Sequence, residues 1–334
     1  MMMAMDISRK RPVVEGFKCH ETSRRENGLL TVLFHATLPT CHQEAIRLSS
    51  LSFDCREPSC GALEDGEEAV LLSDEDYQVD SNFFDNGYSL AGATGFKVWT
   101  GTRLLIECLA WPCAGDCSRL RELQQRISHG ARVLELGSGV GVLGSYLAAI
   151  GSEVLMSDLP TLVENSLKKN IGRNAMTEVN DETFECPQWL SNDDAKRIGR
   201  GWAGCASLDW TQPVESQLTK DQYSSIDFIV ASDVVFLRSM LQSVFNTVES
   251  IFRASTNPPP LILSFQRRDA KDGDESVSFT TVTGILNAMN DRGWSCKNLA
   301  WREVTVLKED GGEDGAVKED QSEVFVFEIN LSNE

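Results

Sequence analysis

The chain is expected to fold as an α/β protein with a mostly parallel sheet, an antiparallel C-terminal edge and a β extension ahead of it. Three observations predict this. From Gly95 onward, apolar runs of strand length alternate with stretches of helical spacing. The first such strand (Val133, Leu134, Leu136) runs straight into Gly137-Ser138-Gly139-Val140-Gly141, and helical spacing resumes at Val142, Leu143, Tyr146, Leu147 and Ile150. Two final strand-like runs, Trp301–Leu307 and Val324–Ile329, have no helix between them, as in a hairpin.

Taken in order, residues 1–94 lack the α/β alternation. Leu29–Phe34 and Ile46–Phe53 read as strands around a turn region containing Pro39, and Glu57–Asp80 reads as a long acidic loop with a short strand near Val70–Leu72. This part is expected to be a β extension with an acidic loop, and residues 95–334 the functional domain. Leu104, Leu105, Cys108 and Leu109 predict a helix, as do Leu120, Leu123 and Ile127. Strands are expected at Arg132–Leu136 and Glu153–Ser157, with a helix around Leu162–Asn170. Residues 172–203 read as an irregular insertion before a short strand near Cys205–Leu208. The apolar run Phe228–Ala231, a helix about Leu241–Phe252, a strand Leu261–Phe265 after Pro258–Pro260, and a helix Val282–Asp291 complete the alternation. Lys308–Glu323 is acidic and Gly-rich, which predicts a disordered hairpin loop.

Composition narrows the function. A net charge of −19 argues against sequence-independent binding to a nucleic-acid backbone and suits a basic partner such as a lysine-bearing protein. A soluble acidic surface explains it equally. The 10 cysteines form no C-x-x-C pair, which argues against zinc and for a reducing, cytoplasmic setting. No run suggests a signal peptide or a membrane span, while Arg9-Lys10-Arg11 allows nuclear entry or is simply a solvated basic tail.

A strand, a glycine turn and a helix in that order make a site for a nucleotide-type cofactor, because glycines admit close approach to the main chain and the helix start offers free N–H groups. Past the next apolar run, Asp158 ends the second strand where a ribose diol would sit; its alternative role is a helix N-cap. Gly139-Val140-Gly141-Val142-Leu143-Gly144 also matches the dinucleotide pattern, but that register would place Glu135 inside the buried first strand. With the turn read from Glu135, the acid lies at the strand end, solvated or hydrogen-bonded. S-adenosylmethionine (SAM), which has a cationic sulfonium and an amino group instead of a pyrophosphate, suits that more acidic site.

Open parallel sheets bind at the carboxyl ends of their strands. Besides Gly137, Ser138, Gly139 and Asp158, this singles out Leu208-Asp209-Trp210 and Ser232-Asp233-Val234-Val235-Phe236. Trp210 offers a flat face for adenine, or packs in the core. Asp233 follows the most apolar strand, where an unpaired charge is costly, so a role in the cleft is expected. Phe236 either walls a substrate channel or packs.

These residues, with Val98-Trp99 ahead of a helix and Ser157-Asp158-Leu159, occur in the order seen in the family 16 methyltransferases, which the sequence resembles over about residues 95–330. The resemblance implies a Rossmann-like seven-stranded fold, SAM as cofactor, and methylation of lysine on a protein substrate. It implies that Trp99, Trp210 and Ser232 line the cofactor pocket with Glu135, Gly137, Ser138, Gly139, Asp158, Leu159 and Asp209, and that Asp233 and Phe236 serve catalysis. Two positions depart from the pattern: the family's Asp-x-x-aromatic motif usually ends in Tyr where this chain has Phe236, and Thr100 stands where Pro is frequent. From the charge, the cysteine spacing and the lack of a long apolar run, the protein is expected to act without nucleic acid, metal or membrane, and it is expected to be a monomer. Another amine acceptor, a catalytically silent SAM-fold module and an NAD(P)-linked oxidoreductase are the competing readings.

Overall fold

The structure is a computed structural model and describes residues 19–26, 29–37, 50–56, 95, 98–110, 117–176, 185–190, 194–267, 279–309 and 317–332. Eleven strands are formed among them: β1 (Cys19–Glu26), β2 (Leu29–Thr37), β3 (Ser50–Arg56), β4 (Arg132–Leu136), β5 (Glu153–Asp158), β6 (Lys196–Ile198), β7 (Gly201–Ser207), β8 (Phe228–Ser232), β9 (Leu261–Gln266), β10 (Trp294–Glu309) and β11 (Val317–Leu331). The main sheet has the order β10-β11-β9-β8-β4-β5-β7-β6. Strands β9, β8, β4, β5 and β7 are parallel neighbours, and β10, β11 and β6 are antiparallel. Seven of these strands are the predicted α/β sheet. The eighth, β6, is a three-residue edge strand from the segment read as an irregular insertion.

Helices cover both faces. Those described are α1 (Thr100–Ala110), α2 (Ser118–Ser128), α3 (Val142–Ile150), α4, α5 (Lys220–Ser224), α6 (Arg238–Ala254) and α7 (Val282–Asn290). Helix α4 joins Pro160–Leu162 to Lys168–Asn174 through the π-helical turn Val163–Leu167. Alternation along each strand divides the core into two layers. In β8, Phe228 and Val230 face the α1–α4 side, whereas Ile229 and Ala231 face α6 and α7. Strands β4 and β8 are adjacent, yet the chain leaves β4 toward β5 and leaves β8 toward β9. Their carboxyl ends therefore open into the crevice at a topological switch point.

The first three strands form a separate antiparallel sheet, β1-β2-β3. Strand β1 has no place in the sequence reading, because Cys-His-Glu-Thr-Ser-Arg-Arg-Glu shows no apolar alternation. In β3, Leu51, Phe53 and Cys55 are buried in the same core layer as Val140, Leu143 and Ile171. The loop at Glu57–Asp80 lies outside the described residues, as does the short strand expected near Val70–Leu72.

Two segment readings need correction. Strand β7 starts at Gly201, not near Cys205. The hairpin is also more extended than expected: β10 and β11 pair as far as Glu309↔Val317, so most of Lys308–Glu323 is strand. An acidic composition limits burial, but it does not prevent a main-chain ladder, in which each amide finds its partner on the other strand.

Helix α1 is tied to the hairpin by an ion pair. Arg302 Nη1 donates to Glu107 Oε1 at 2.9 Å, and both side chains are largely buried. Glu107→Ala is expected to cost about 1–3 kcal/mol in chemical denaturation, since it strands a guanidinium that is only partly solvated. An unchanged midpoint would remove this tie.

Candidate functional site

At the carboxyl end of β4 the chain leaves the sheet through three glycines with positive φ: Gly137 at 68°, Gly139 at 55° and Gly141 at 83°. Side chains are excluded there on two grounds, conformation and space. A Cβ on Gly137 would lie 2.5 Å from Val234 Cγ1 and 3.2 Å from the Trp210 ring, and one on Gly139 would lie 2.7 Å from Gly95 O.

The turn is stitched to the end of β5. Ser138 N–H donates to Ser157 O (3.0 Å), and Ser157 N–H donates to Ser138 Oγ (3.1 Å). Asp158 accepts Gly139 N–H at Oδ2 (2.7 Å) and Leu159 N–H at Oδ1 (2.8 Å). Asp158 is therefore not the helix N-cap; Leu159 holds that position ahead of Pro160. Burial pushes the Asp158 carboxyl up to about 6, against the opposing effect of its two main-chain donors.

Glu135 departs from expectation. It lies inside β4, between Met156 and Val230 in the ladder, and is only 2% exposed. Its room comes from helix α3, where a Cβ on Gly144 would approach Glu135 Oε2 to 2.5 Å. Burial, with the nearby Asp158 charge, pushes its carboxyl up to about 8, while the Ser138 hydroxyl and Gly144 N–H offset part of this. Its Oε2 has no well-aligned hydrogen-bond donor among the described residues. Of the two expectations for this acid, solvated or hydrogen-bonded at the strand end, solvation is excluded by its burial within the strand, while Ser138 and Gly144 keep polar contact with it. What sets the register is the strand's end at Leu136 and the positive φ at Gly137, not avoidance of a buried charge.

Trp210 covers the turn. Asp209 Oδ1 accepts Thr211 N–H (2.8 Å) and Thr211 Oγ1–H (2.7 Å), and Asp209 N–H donates to Gln217 Oε1 (2.7 Å). Asp209 thereby shapes the bend that sets Trp210 over Gly137. Trp210 Nε1–H is buried and has no acceptor among the described residues.

The second motif gathers around Asp233, a non-glycine residue with φ of 55°. Its Oδ2 accepts Gly101 N–H in the first turn of α1 (2.9 Å), and its Oδ1 accepts Gln266 N–H at the end of β9 (2.8 Å). Its own N–H donates to Ser264 O (3.0 Å). At 4% exposure, with one main-chain donor on each oxygen, it is built as a clamp between elements. The cleft role expected of Asp233 thus comes together with a structural one, joining α1, β8 and β9. Ser232 joins the same junction, with its Oγ 2.8 Å from Thr102 Oγ1 and 3.2 Å from Ser264 Oγ. Trp99, just before α1, stacks on Phe236 with ring centroids 6.2 Å apart and planes at 22°. Sequence reasoning missed Gly101, Thr102, Ser264 and Gln266; the one local signal was a glycine at the start of a predicted helix.

Residues 85–200 and 202–280 match the model of a protein family described as lysine methyltransferase, over more than half of the chain. The chain belongs to that family. Among curated proteins it is 30% identical over 166 residues to calmodulin-lysine N-methyltransferase of Arabidopsis thaliana, covering 49% of this chain and 44% of that protein. It is 23% identical over 206 residues to EEF1A lysine methyltransferase 3 of Xenopus tropicalis, covering 61% of this chain and 77% of that one. With protein N-lysine methyltransferase METTL21A of Xenopus tropicalis it shares 22% identity over 172 residues, covering 52% and 66%. The match to the Arabidopsis relative thus spans less than half of that protein's length.

Two outcomes follow from this geometry. Gly101→Ala would ordinarily stabilise a helix, but here its Cβ would fall 2.4 Å from Asp233 Oδ2. The melting temperature is expected to drop; a rise would mean that the clamp yields freely. For Glu135, the folded carboxyl holds its proton more tightly than the unfolded one. The stability this contributes is fully present below about pH 4.5 and is lost as pH rises from there through about 8. Glu135→Gln, which cannot ionise, should therefore gain stability relative to wild type between pH 5 and 9, as read by denaturant midpoints. A pH-independent difference would contradict this assignment.

Proposed function

We propose that the chain transfers the methyl group of SAM to a lysine side chain of a protein. The carrying observation is the family match, which spans both the glycine turn and the aromatic-lined strand ends beside it. Three relatives named for lysine methylation support the acceptor.

The residues present suit SAM. The turn is bare main chain, with Gly137 so close to Val234 and Trp210 that no Cβ fits, and Trp210 offers a ring face together with a buried N–H that has no acceptor among the described residues. When bound, SAM supplies a methyl group already activated by its sulfonium. Gly137, Ser138 and Gly139 would hold it against the main chain, and Asp158 would accept from the ribose hydroxyls with its remaining lone pairs. Leu159 and Trp210 would flank the adenine, Trp99 and Ser232 would complete the wall, and Asp209 would keep Trp210 in place. Glu135 lies beneath the turn with its carboxyl toward Ser138 and Gly144.

The acceptor must arrive as a neutral amine, whereas free lysine has a pKa of about 10.4. Trp99 and Phe236 provide an apolar wall that disfavours the ammonium form and excludes water. Phe236 has no hydroxyl with which to orient the nitrogen, so positioning falls to the shape of the channel. Asp233 acts on transfer by fixing α1, and hence Trp99, against β8 and β9.

In this reading residues 1–94 are an extension of a methyltransferase unit spanning 95–334. The protein works as a monomer in the cytoplasm, with access to the nucleus, and without nucleic acid or membrane. The net charge of −19 favours a basic protein as substrate.

The test is incubation of the full chain with labelled SAM and a protein extract, with mass spectrometry on the modified peptides. Methyllysine is expected. Methyl on arginine or on a small amine would replace the acceptor, and SAM binding without any transfer would make the chain a binding module. Trp210→Phe keeps an aromatic face but removes the N–H and part of the indole, so it should weaken SAM binding roughly tenfold while the protein stays folded. Undiminished affinity would take Trp210 Nε1 out of the site.

A further inference from the structure

Helix α4 carries two buried asparagines one turn apart, Asn170 and Asn174. Each meets the main chain of β3 as a neighbouring strand would. Asn174 Oδ1 accepts Ser52 N–H (2.8 Å), while its Nδ2 donates to Ser52 O (2.9 Å). Asn170 Oδ1 accepts Asp54 N–H (2.8 Å), and its Nδ2 donates to Asp54 O (3.2 Å). The N-terminal sheet is thus docked through side-chain amides that imitate a β ladder.

The two residues differ in one respect. The second Nδ2 proton of Asn174 goes to Asn170 O, within its own helix (2.9 Å). That of Asn170 goes to Val140 O at 2.9 Å, in the middle of the glycine turn. Asn170 is fully buried, and these three bonds use both of its amide protons and one lone pair of its oxygen. An amide turned the other way would face two carbonyls with an oxygen, so the network fixes its orientation. Val140 stands between Gly139 and Gly141, whose own conformations are otherwise soft. Its carbonyl direction sets the tilt of the peptide that follows, at the N-cap of α3.

We propose that Asn170 is a positioning residue for the cofactor turn, and that through it the docked N-terminal sheet sets cofactor affinity. The affinity half rests on the SAM reading above; the effect on the turn does not. Asn174, which holds the same sheet and has no hydrogen bond to the turn among the described residues, provides the contrast.

The experiment compares full-length wild type, Asn170→Ala and Asn174→Ala by amide hydrogen exchange without ligand, and by calorimetric titration with S-adenosylhomocysteine. Asn170→Ala leaves Val140 O without its donor, so exchange at Gly139–Val142 should quicken and the dissociation constant rise roughly tenfold. Asn174→Ala should lower the melting temperature comparably while leaving turn exchange and affinity within about threefold of wild type. Should Asn170→Ala not fold, Asn170→Asp, which keeps the acceptor for Asp54 N–H and the side-chain volume, is read in its place. Unchanged exchange at the turn in a folded Asn170 variant overturns the proposal, as does an equal effect from Asn174→Ala. If wild type fails to bind the ligand, the cofactor reading falls, while the exchange comparison still decides the tie between Asn170 and the turn.

Discussion

A main-chain N–H taken out of water where a parallel strand ends must find an acceptor, because the ladder that satisfied its predecessors has stopped. In this protein two buried carboxylates meet that need. Asp158 receives Gly139 and Leu159 N–H at the end of β5, and Asp233 receives Gly101 and Gln266 N–H beyond β8. Hydrogen bonds to a charged group contribute about 1.5–3 kcal/mol each, against roughly 1–2 kcal/mol for holding a non-glycine residue in the left-handed region. Two such bonds outweigh the conformational cost at Asp233, which is why its φ of 55° is tolerated.

The geometry of the crevice follows from these two clamps. Asp158 fixes the glycine turn to β5, and the mutual Ser138–Ser157 bonds keep the turn from peeling away. Asp233 fixes the first turn of α1, so Trp99 arrives against Phe236. Farther along, Arg302–Glu107 and Arg119–Glu328 bind α1 and α2 to the antiparallel strands, so the site's wall is braced by the hairpin. Val234 touches both halves, lying against Gly137 in one and adjoining Asp233 in the other. A carboxylate that holds two elements together acts on chemistry through alignment.

Much of this could be read locally. The strand Arg132–Leu136 is a mainly apolar stretch halted by glycine, β8 is apolar as far as Ala231, and β9 is apolar apart from Ser264 and its last residue, so all three were placed within a residue of their observed ends. The glycine turn, Asp158 and the aromatic strand ends were legible as a cluster because strand ends of a parallel sheet converge. What failed was non-local or carried by main chain. The burial of Glu135 depends on Gly144 across a helix, and the engagement of Asp233 depends on amides 132 and 33 residues away. Strand β1 and the outer hairpin are held by ladder pairing, which leaves no apolar pattern in the residues. Asn170 reads as an ordinary helix residue and Asn174 falls in the segment read as an irregular insertion, until the helix is seen to run to Asn174 with β3 laid beside it.

The most direct measurement is a calorimetric titration of SAM into the full chain and into Gly139→Ala. At φ of 55°, a methyl group there would lie 2.7 Å from Gly95 O, inside the cradle. The account predicts saturable binding at one site in the wild type and its loss in the folded variant. No binding by wild type, or equal binding by both, would contradict the assignment of the turn as the cofactor site.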